Sequence, residues 1–373
     1  MKLTDVVNRI NGNVDRFTTD LEYYIGGEHF ESNELEVTQK GILKENLGKL
    51  GFKFHFAFQD RDVIFMARNP HLRKAGMVRF SGLCSDASYI LRSKDESVLS
   101  QEYLAVMLQS NHFWDYCESH KVGSVNFANN WSSIANYEFD LPSPEYQKEV
   151  SDKVWAAYRL KKSYRQLLAA TQEMVKSQFI EMFGNGNWEQ KSLGEVGTFK
   201  RGGGFQKSDY VEHGIPCIHY GQIHTKFGPF IYSHISEISS DLATKTKFAS
   251  KGDLIIAITS EDAEGSCKST AWLGDYPVAV GGHAAIYNHC MNPLYMSFFF
   301  QSTLFNHAKM EYIHGTKVVE IKPDDIAKIL VPCPPMSLQE QFSTIAQQAD
   351  KSEFELRKSI ESIDAVIKSL INS

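Results

Sequence analysis

The clearest absence from this 373-residue sequence is that of any long apolar run. Apolar stretches such as residues 254–258 and 298–300 are far shorter than the roughly 20 residues that a membrane-spanning helix needs, so no membrane segment is expected. The first residues, Met1–Asp5, lead into no apolar signal region, and we therefore do not expect export. Cysteine is scarce, with six residues and no close pair, which indicates free thiols in a reducing, cytoplasmic compartment.

Catalytic signatures are also missing. The sequence has no Gly-x-Ser-x-Gly, no His-Glu-x-x-His and no zinc-spaced Cys/His cluster. The pairs His219/His224 and His283/His289 lack further ligands, which favours structural or surface roles. The acidic residues within 261–264 could coordinate a metal, although a solvated loop is the more typical role of such a segment. We therefore predict no catalytic residue, no metal site and a protein that is not an enzyme.

The sequence also lacks an excess of positive charge, since its formal net charge is −6. This argues against a protein that coats nucleic acid. Basic residues are nevertheless concentrated in a few acid-poor stretches, one of which is the glycine-rich segment 200–207. A glycine-rich segment of this kind either binds an anion through its backbone or is a plain surface turn. A basic cluster either contacts the bases and phosphates of DNA or is a solvated surface. The residues that this pattern favours for DNA contact are Arg68, Arg73, Lys74, Arg79, Lys200, Arg201, Lys207, Lys245, Lys247 and Lys317.

The sequence contains an internal repeat, in which residues of the second half match residues of the first at a constant step of 192 residues. The matched pairs include Tyr103 and Tyr295, Gln109 and Gln301, Gly123 and Gly315, Pro142 and Pro334, Gln147 and Gln339, and Lys176 and Lys368. Each copy runs in the same order, with a mixed globular stretch, a proline-punctuated boundary and a long amphipathic helix. The period is too long for a solenoid repeat and indicates a duplicated domain-plus-helix unit. Two such units predict a molecule that holds two similar ligands at a fixed separation.

Two amphipathic helices are predicted, and their apolar seams are in the same register. Leu160, Leu167 and Phe179 widen the first seam on one side. Each helix could pack on its own globular domain, but the common register favours an antiparallel pair. The residues expected to pack between the helices are Val150, Tyr164, Leu168, Val175, Phe342, Leu356, Ile360, Ile363 and Ile367.

The predicted fold class is α+β, with two mixed α/β domains in a pseudo-twofold tandem repeat, separated by two long antiparallel coiled-coil helices. We place the domains at residues 1–143 and 184–336, the central helix at 144–183 and the C-terminal helix at 337–373. Apolar runs entered by an acidic residue, 62–67 and 253–258, predict buried strands. Helices are expected at 100–118 and 293–312.

Several motifs give the chain a family resemblance. Residues 188–196 read Trp-Glu-Gln-Lys-Ser-Leu-Gly-Glu-Val, residues 214–218 read Gly-Ile-Pro-Cys-Ile, and Pro334-Pro335 precedes Gln339-Glu340-Gln341 at the start of a long helix. With these motifs the whole chain resembles the specificity (S, or HsdS) subunit of type I restriction–modification systems. Residues 1–24 lack the Trp-x-x-x-x-Leu-Gly-Glu opening that the second copy has.

The resemblance implies a DNA-reading adaptor without catalytic activity. Its two globular domains would be target recognition domains that each read one half of a split, asymmetric target in double-stranded DNA. The helix pair would space them and dock two methyltransferase (M) subunits, which restriction–translocase (R) subunits then join. No cofactor is expected in this chain, because S-adenosylmethionine, ATP and Mg²⁺ would belong to the partners. The alternatives are a protein–protein scaffold without a DNA role, which the negative charge favours, and a nuclease with an unrecognised active site.

Overall fold

The computed structural model describes residues 1–184, 186–313 and 319–372, and these form two compact units. The first unit comprises Met1–Gln166 with Arg357–Ser373, and the second comprises Leu167–Leu356. Both unit boundaries fall inside the two long helices, so that each unit combines one globular part with a segment of each helix. Among the described residues, no helix is both long enough and apolar enough to cross a membrane.

Among the described residues, the first unit contains nine strands, the start of the first long helix and the end of the second. Its strands are β1 (Val7–Ile10), β2 (Tyr23–Ile25), β3 (Glu36–Val37), β4 (Gly41–Ile42), β5 (Phe54–Phe58), β6 (Val63–Met66), β7 (Ala75–Val78), β8 (Gly82–Ser85) and β9 (Ser88–Ser93). Its helices are α1 (Leu3–Val6), α2 (Leu43–Asn46), α3 (Gln101–Met107), α4 (Asn111–Ser119), α5 (Trp131–Ala135) and the start of α6 (Pro144–Phe183).

The second unit has counterparts of these elements, together with several further short strands and helices. Its strands are β10 (Gln190–Ser192), β11 (Gly197–Arg201), β12 (Tyr210–Val211), β13 (Ile215–Ile218), β14 (Phe230–Ile231), β15 (Ser236–Ile238), β16 (Lys247–Ala249), β17 (Leu254–Ala257), β18 (Thr259–Ser260), β19 (Ser269–Trp272), β20 (Val278–Val280), β21 (Ala284–His289), β22 (Val319–Glu320) and β23 (Leu330–Pro332). Its helices are α7 (Leu193–Val196), α8 (Tyr220–Thr225), α9 (Ser240–Ala243), α10 (Pro293–Gln301), α11 (Thr303–Lys309), α12 (Pro323–Ile326) and the start of α13 (Met336–Ile371).

Both units are built on the same sheet topology. The five-stranded sheet has the order β1-β9-β6-β7-β3 in the first unit and β11-β21-β17-β19-β14 in the second, and in each only the last pair is parallel. The second sheet has the order β4-β2-β8-β5 in the first unit, and β15-β13-β20-β16 repeats that order in the second, where β12 is added. The duplication therefore extends to strands that precede Tyr103, where the two halves of the sequence do not match visibly.

The two predicted strands at 62–67 and 253–258 are β6 and β17, and each is buried at the centre of its sheet. The acidic residue before each strand has the same local role: Asp62 accepts a hydrogen bond from the backbone N–H of Gln59 (2.8 Å) and Asp253 from that of Ser250 (2.7 Å). The predicted helices at 100–118 and 293–312 are each split in two, because Ser110 and Ser302 cap a new helix within the stretch.

The entry to the first domain has the same structure as the entry to the second, although it lacks the sequence motif. Leu3–Val6 and Leu193–Val196 are both single helical turns, and in each an acidic side chain bonds back to the N-terminal backbone: Asp5 to Lys2 (2.7 Å) and Glu195 to Ser192 (2.6 Å). Leu-Thr-Asp-Val thus replaces Leu-Gly-Glu-Val, because any short acidic side chain at the third position can satisfy that free N–H group.

The long helices pair antiparallel. Within the first unit the Lys161 ammonium lies 2.6 Å from an Asp364 carboxylate oxygen. Within the second unit Gln172 donates to Glu353 (2.9 Å), and the Phe183 and Phe342 rings are 5.7 Å apart. Within each unit, residue numbers therefore rise along α6 as they fall along α13, so the two helix segments run antiparallel. The helix α13 begins at Met336, one residue earlier than predicted, and ends at Ile371.

Each globular core also includes the helices that leave it, so the two packing modes that the sequence left open both occur. Val150, Val154 and Ile367 belong to the core of the first unit. Val175, Phe179 and Phe342 belong to the core of the second. Leu160 and Leu167, which were expected to widen the seam, are instead 45% and 52% exposed, because they lie on a side of α6 away from these cores.

Candidate nucleic-acid interface

The glycine-rich segment of the second unit forms the centre of the candidate interface. Gly202 and Gly203 follow β11 and lie so close to other backbone that a side chain on Gly202 would collide with Val280 and Gly281, and one on Gly203 with Thr246. Only glycine lets these three chain segments meet. The contact joins the loop after β11 to the segment before β16, and we call these two segments, residues 200–207 and 244–248, the basic loop pair.

Four lysines of the basic loop pair are exposed. Lys200 lies in β11 opposite Ile286, and Lys247 begins β16 opposite Val280, so the sheets fix both backbone positions. Lys245 and Lys247 flank the buried Thr246 that packs on Gly203, and Lys207 follows the buried Phe205. The structure thus brings together two basic stretches that are about 40 residues apart in sequence. Clustered ammonium groups on a rigid edge suit binding of a phosphate backbone.

Arg201 is engaged differently from the lysines. Its guanidinium lies 3.1 Å from a Glu320 carboxylate oxygen and donates to the carbonyl oxygen of Gly282 (2.9 Å). The ion pair is half exposed, so it contributes little to stability and can be exchanged for a phosphate or a base edge. The neighbouring acidic segment 261–264, once considered for metal binding, folds back on itself: Asp262 accepts from the N–H of Gly265 (2.6 Å). Within the described residues no cluster of three or more His, Cys, Asp and Glu side chains could hold a metal ion.

A histidine–tyrosine cluster adjoins the basic loop pair. The Tyr220 ring lies 4.5 Å from the His219 ring and 5.1 Å from the His283 ring, and His219 also packs beside Gly281. Burial, together with the neighbouring His283, lowers the pKa of His219 below its ordinary value. Thr259 connects the cluster, because its hydroxyl lies 3.2 Å from His283 Nδ1 and its carbonyl oxygen 3.0 Å from His224 Nε2. These groups offer ring faces, donors and acceptors, as base recognition requires.

Sequence reasoning missed this cluster. His219, His224 and His283 were considered only as metal ligands, for which the spacing was unsuitable, and Tyr220 was not singled out. A signal was available in Gly221, which follows His219 and Tyr220, since glycine at a strand often marks a place where a ligand or another backbone approaches closely. The fourth histidine considered, His289, lies elsewhere, half-buried beside Tyr287 at the end of β21, and desolvation lowers its pKa to about 4.

The basic residues predicted for the first domain do not form one cluster. Arg73 donates to Asn111 (2.8 Å), Lys74 donates to the carbonyl oxygen of Gly27 (2.7 Å), and Arg79 contacts Glu36 (3.2 Å). The Arg79 guanidinium also lies 5.4 Å from the ring of Trp155, in α6. Arg68 is exposed on the loop after β6, beside Ala128. Their DNA contacts stay a prediction, and Lys317, the last basic candidate, lies outside the described residues.

The predicted helix-packing residues are all at least half-buried. Val150, Val175, Phe342 and Ile367 are buried. The other five are half-buried, namely Tyr164, Leu168, Leu356, Ile360 and Ile363. A charged network also ties the helices to the first domain: the buried Glu34 carboxylate lies 2.8 Å from the ammonium of Lys161 and 2.9 Å from the guanidinium of Arg165.

Comparison with known proteins agrees with this geometry. The family model described as type I restriction modification DNA specificity domain matches residues 185–363. One similar solved structure comes from a type I R-M system whose complex assembly and conformational transition have been described. Its chain is 16% identical to this one, with a TM-score of 0.59, and the match covers 100% of this chain and 95% of the other. The S subunit of the type I restriction-modification system from M. genitalium is 12% identical, with a TM-score of 0.58. That match covers 100% of this chain and 94% of the S subunit. No curated protein sequence matches the chain.

At these identities the solved structures show the fold, and the family model adds the kind of domain. The resemblance to type I specificity subunits and the α+β fold with two domains and long helices are therefore confirmed. The matched domain confers DNA specificity and has no catalytic role of its own. Residues 185–363 thus match the DNA specificity domain of type I restriction–modification systems, which is not a catalytic domain, and the whole chain resembles the S subunits of those systems in fold.

Proposed function

We propose that the chain is the sequence-reading subunit of a type I restriction–modification complex and that it reads a bipartite, asymmetric target, with one half-site for each domain. The target recognition domains are residues 1–143 and 184–336. The main support is the duplicated sheet topology combined with loops that share no sequence. Two domains of one design suit two ligands of one class, and different loops suit different base sequences.

The basic loop pair and the histidine–tyrosine cluster support DNA binding by the second domain. Lys200, Lys207, Lys245 and Lys247 would hold phosphates, which sets the position of the duplex. Tyr220 and His283 would then face the base edges. This division agrees with the net charge of −6, because a few local cations are sufficient when partner subunits contribute to DNA binding.

The helix pair would dock two methyltransferase subunits, with restriction–translocase subunits joining afterwards. Leu160, Leu167 and Met174 recur every seven residues along one side of α6 and are 45%, 52% and 45% exposed. A row of exposed large apolar side chains on a rigid helix is typical of a protein-binding surface. S-adenosylmethionine, ATP and Mg²⁺ would be bound by those partners, and the complex would act in the cytoplasm, where the DNA is.

The test is to express the chain together with the adenine methyltransferase subunits encoded by neighbouring genes and to map methylated adenines on both DNA strands. We expect one asymmetric motif made of two specific half-sites and an unspecific spacer. The methyltransferase subunits expressed alone serve as the control and should leave this motif unmethylated. A palindromic motif would contradict independent half-sites, and methylation that does not depend on this chain would contradict the specificity role.

A further inference from the structure

The first domain has a pair of loops that corresponds to the basic loop pair of the second. Strand β1 corresponds to β11 and strand β5 to β16, so the loop after β1 and the segment before β5 occupy the equivalent place. These two segments are also joined: the N–H of Val14 donates to His55 (2.8 Å) and the N–H of Ala57 to Gly12 (2.9 Å). We call residues 12–18 and 49–55 the aromatic loop pair.

An arginine side chain holds the two loops together. Arg16 Nη1 donates to the carbonyl oxygens of Leu50 (3.0 Å) and Gly51. The same guanidinium lies 4.8 Å from the ring of Phe17. The carboxylate of Asp15 is engaged locally, since it accepts from the N–H of Phe17 (3.0 Å). The tip of each loop therefore has a defined conformation before any ligand binds, which lowers the entropy cost of recognition.

Two phenylalanines stand out from these loops into solvent. Phe52 is 82% exposed and Phe17 is 66% exposed. By contrast, Phe54 and Phe56, which follow in β5, pack against cores of the domain. Exposing two large rings has a cost in hydrophobic free energy, so a surface that keeps them exposed is expected to be covered in use.

The stretch of sequence around Phe52 is basic. No acidic residue occurs between Asn46 and Gln59, a stretch that includes the exposed Lys49 and Lys53. Lys53 lies 3.0 Å from an Asp86 carboxylate oxygen, and this pair is exposed enough to be exchanged for a phosphate at little cost. Lysine is depleted at the centre of protein–protein interfaces, whereas lysine combined with exposed aromatic rings suits nucleic acid.

We propose that the aromatic loop pair is the DNA-reading edge of the first domain, an inference that rests on the proposed function. Phe17 and Phe52 contact bases, either at a thymine methyl group or as wedges at a base step, as apolar side chains do in DNA grooves. Lys49 and Lys53 hold flanking phosphates. Arg16 is a positioning residue that keeps the two loops in contact. The first half-site is therefore read largely by shape and apolar contact, whereas the lysine-rich second domain relies more on charge.

The experiment uses the full chain in complex with its methyltransferase subunits and measures binding to duplexes that contain the methylated motif. Phe17→Ala and Phe52→Ala should each weaken binding about tenfold, with the loss confined to preferences in one half-site. Lys49→Ala and Lys53→Ala should weaken all sequences equally and reduce the salt slope by about one unit each. The matched controls are Val125→Ala, where the side chain is 84% exposed in the same domain, and Lys121→Ala nearby; both should bind as the unchanged chain does.

Three outcomes separate this inference from the proposed function. If the unchanged complex binds its motif and the four variants match the controls, the aromatic loop pair does not read DNA, although the proposed function stands. If the variants lose the methyltransferase subunits and not DNA affinity, the loops are a protein-docking surface and the inference is wrong. If the unchanged complex shows no preference for any sequence, the proposed function fails and this inference with it. Thermal unfolding of each variant verifies folding, which these exposed substitutions should preserve.

Discussion

At the scale of single residues, the repeat is most visible in a buried glutamine. Gln147 accepts a hydrogen bond from the N–H of Ser100 (3.0 Å) and donates to the carbonyl oxygen of Pro142 (3.0 Å). Gln339 makes the same two bonds, with Asn292 (2.9 Å) and Pro334 (2.8 Å). Each glutamine thus ties the first turn of a long helix to the start of a domain helix and to the proline boundary.

Replacing either glutamine by leucine should destabilise its unit. The side chains of Gln147 and Gln339 are almost fully buried, so Gln147→Leu or Gln339→Leu would leave a backbone N–H and a carbonyl without partners. We expect a loss of about 1–3 kcal/mol in the free energy of unfolding for each, measured by urea titration. The exposed Gln166→Leu and Gln348→Leu are the controls, and equal stability of all four variants would contradict this role.

Residue partners were less predictable than residue identities. The pairing of Gln147 with Gln339 was visible in the sequence because a shared local role preserves the residue at a constant step. Nothing in the sequence indicated that Arg79 would lie beside Glu36 and Trp155, since those contacts depend on how α6 packs on the sheet. The basic residues named from local charge include exposed lysines on two adjoining segments in the second domain, whereas in the first domain Arg73, Lys74 and Arg79 have partners within the domain.

At the scale of elements, the two long helices were the most predictable feature. The first of them spans Pro144–Phe183, and a helix of this length is specified by its apolar periodicity and by the prolines and glycines at its ends. The strands that precede Tyr103 could not be aligned between the halves, because short strands with different loops leave little pattern to compare.

Two phenylalanines of α13 differ in burial because they lie at different positions relative to the packed side of the helix. Phe342 is fully buried against Phe179, Phe183 and Phe298, whereas Phe354 is 64% exposed. Phe342→Ala should reduce the free energy of unfolding by about 3–5 kcal/mol, since it opens a cavity in the core of the second unit. The matched Phe354→Ala should change it by less than about 0.5 kcal/mol. Chemical denaturation of both variants tests the pairing, and a similar cost for the two would contradict it.

The exposed row on α6 leads to a prediction about assembly. Leu167→Asp places a charge where we propose that a methyltransferase subunit docks, and burying it there without a partner would cost several kcal/mol of binding free energy. We expect the variant to lose co-purification of the methyltransferase subunits while it keeps its melting temperature. Ala169→Asp, exposed on the opposite side of the helix, is the control. Unchanged co-purification of the Leu167 variant would exclude this face.

At the scale of the whole molecule, the sequence predicted two copies of one domain-plus-helix unit. The structure adds the residues at which each compact unit begins and ends. The core of the first unit includes Val150, Val154 and Ile367, which lie outside residues 1–143. The buried Glu34 also depends on Lys161 and Arg165 of α6. The globular part of the first unit is therefore not self-contained within residues 1–143, because part of its core and its charge compensation are supplied by the long helices.

This division determines how an exchange of specificity should be designed. If the proposed function holds, replacing residues 1–166 together with 357–373 by the equivalent segments of a type I specificity subunit should change one half-site of the methylated motif and leave the other unchanged. Replacing residues 1–143 alone should change the same half-site but yield a less stable protein, because the foreign domain would meet helix side chains that did not evolve with it. Mapping methylated adenines gives the half-sites, and thermal unfolding gives the order of stability. A change in both half-sites would contradict independent reading, whereas equal stability of the two chimeras would show that the helix segments are interchangeable among relatives.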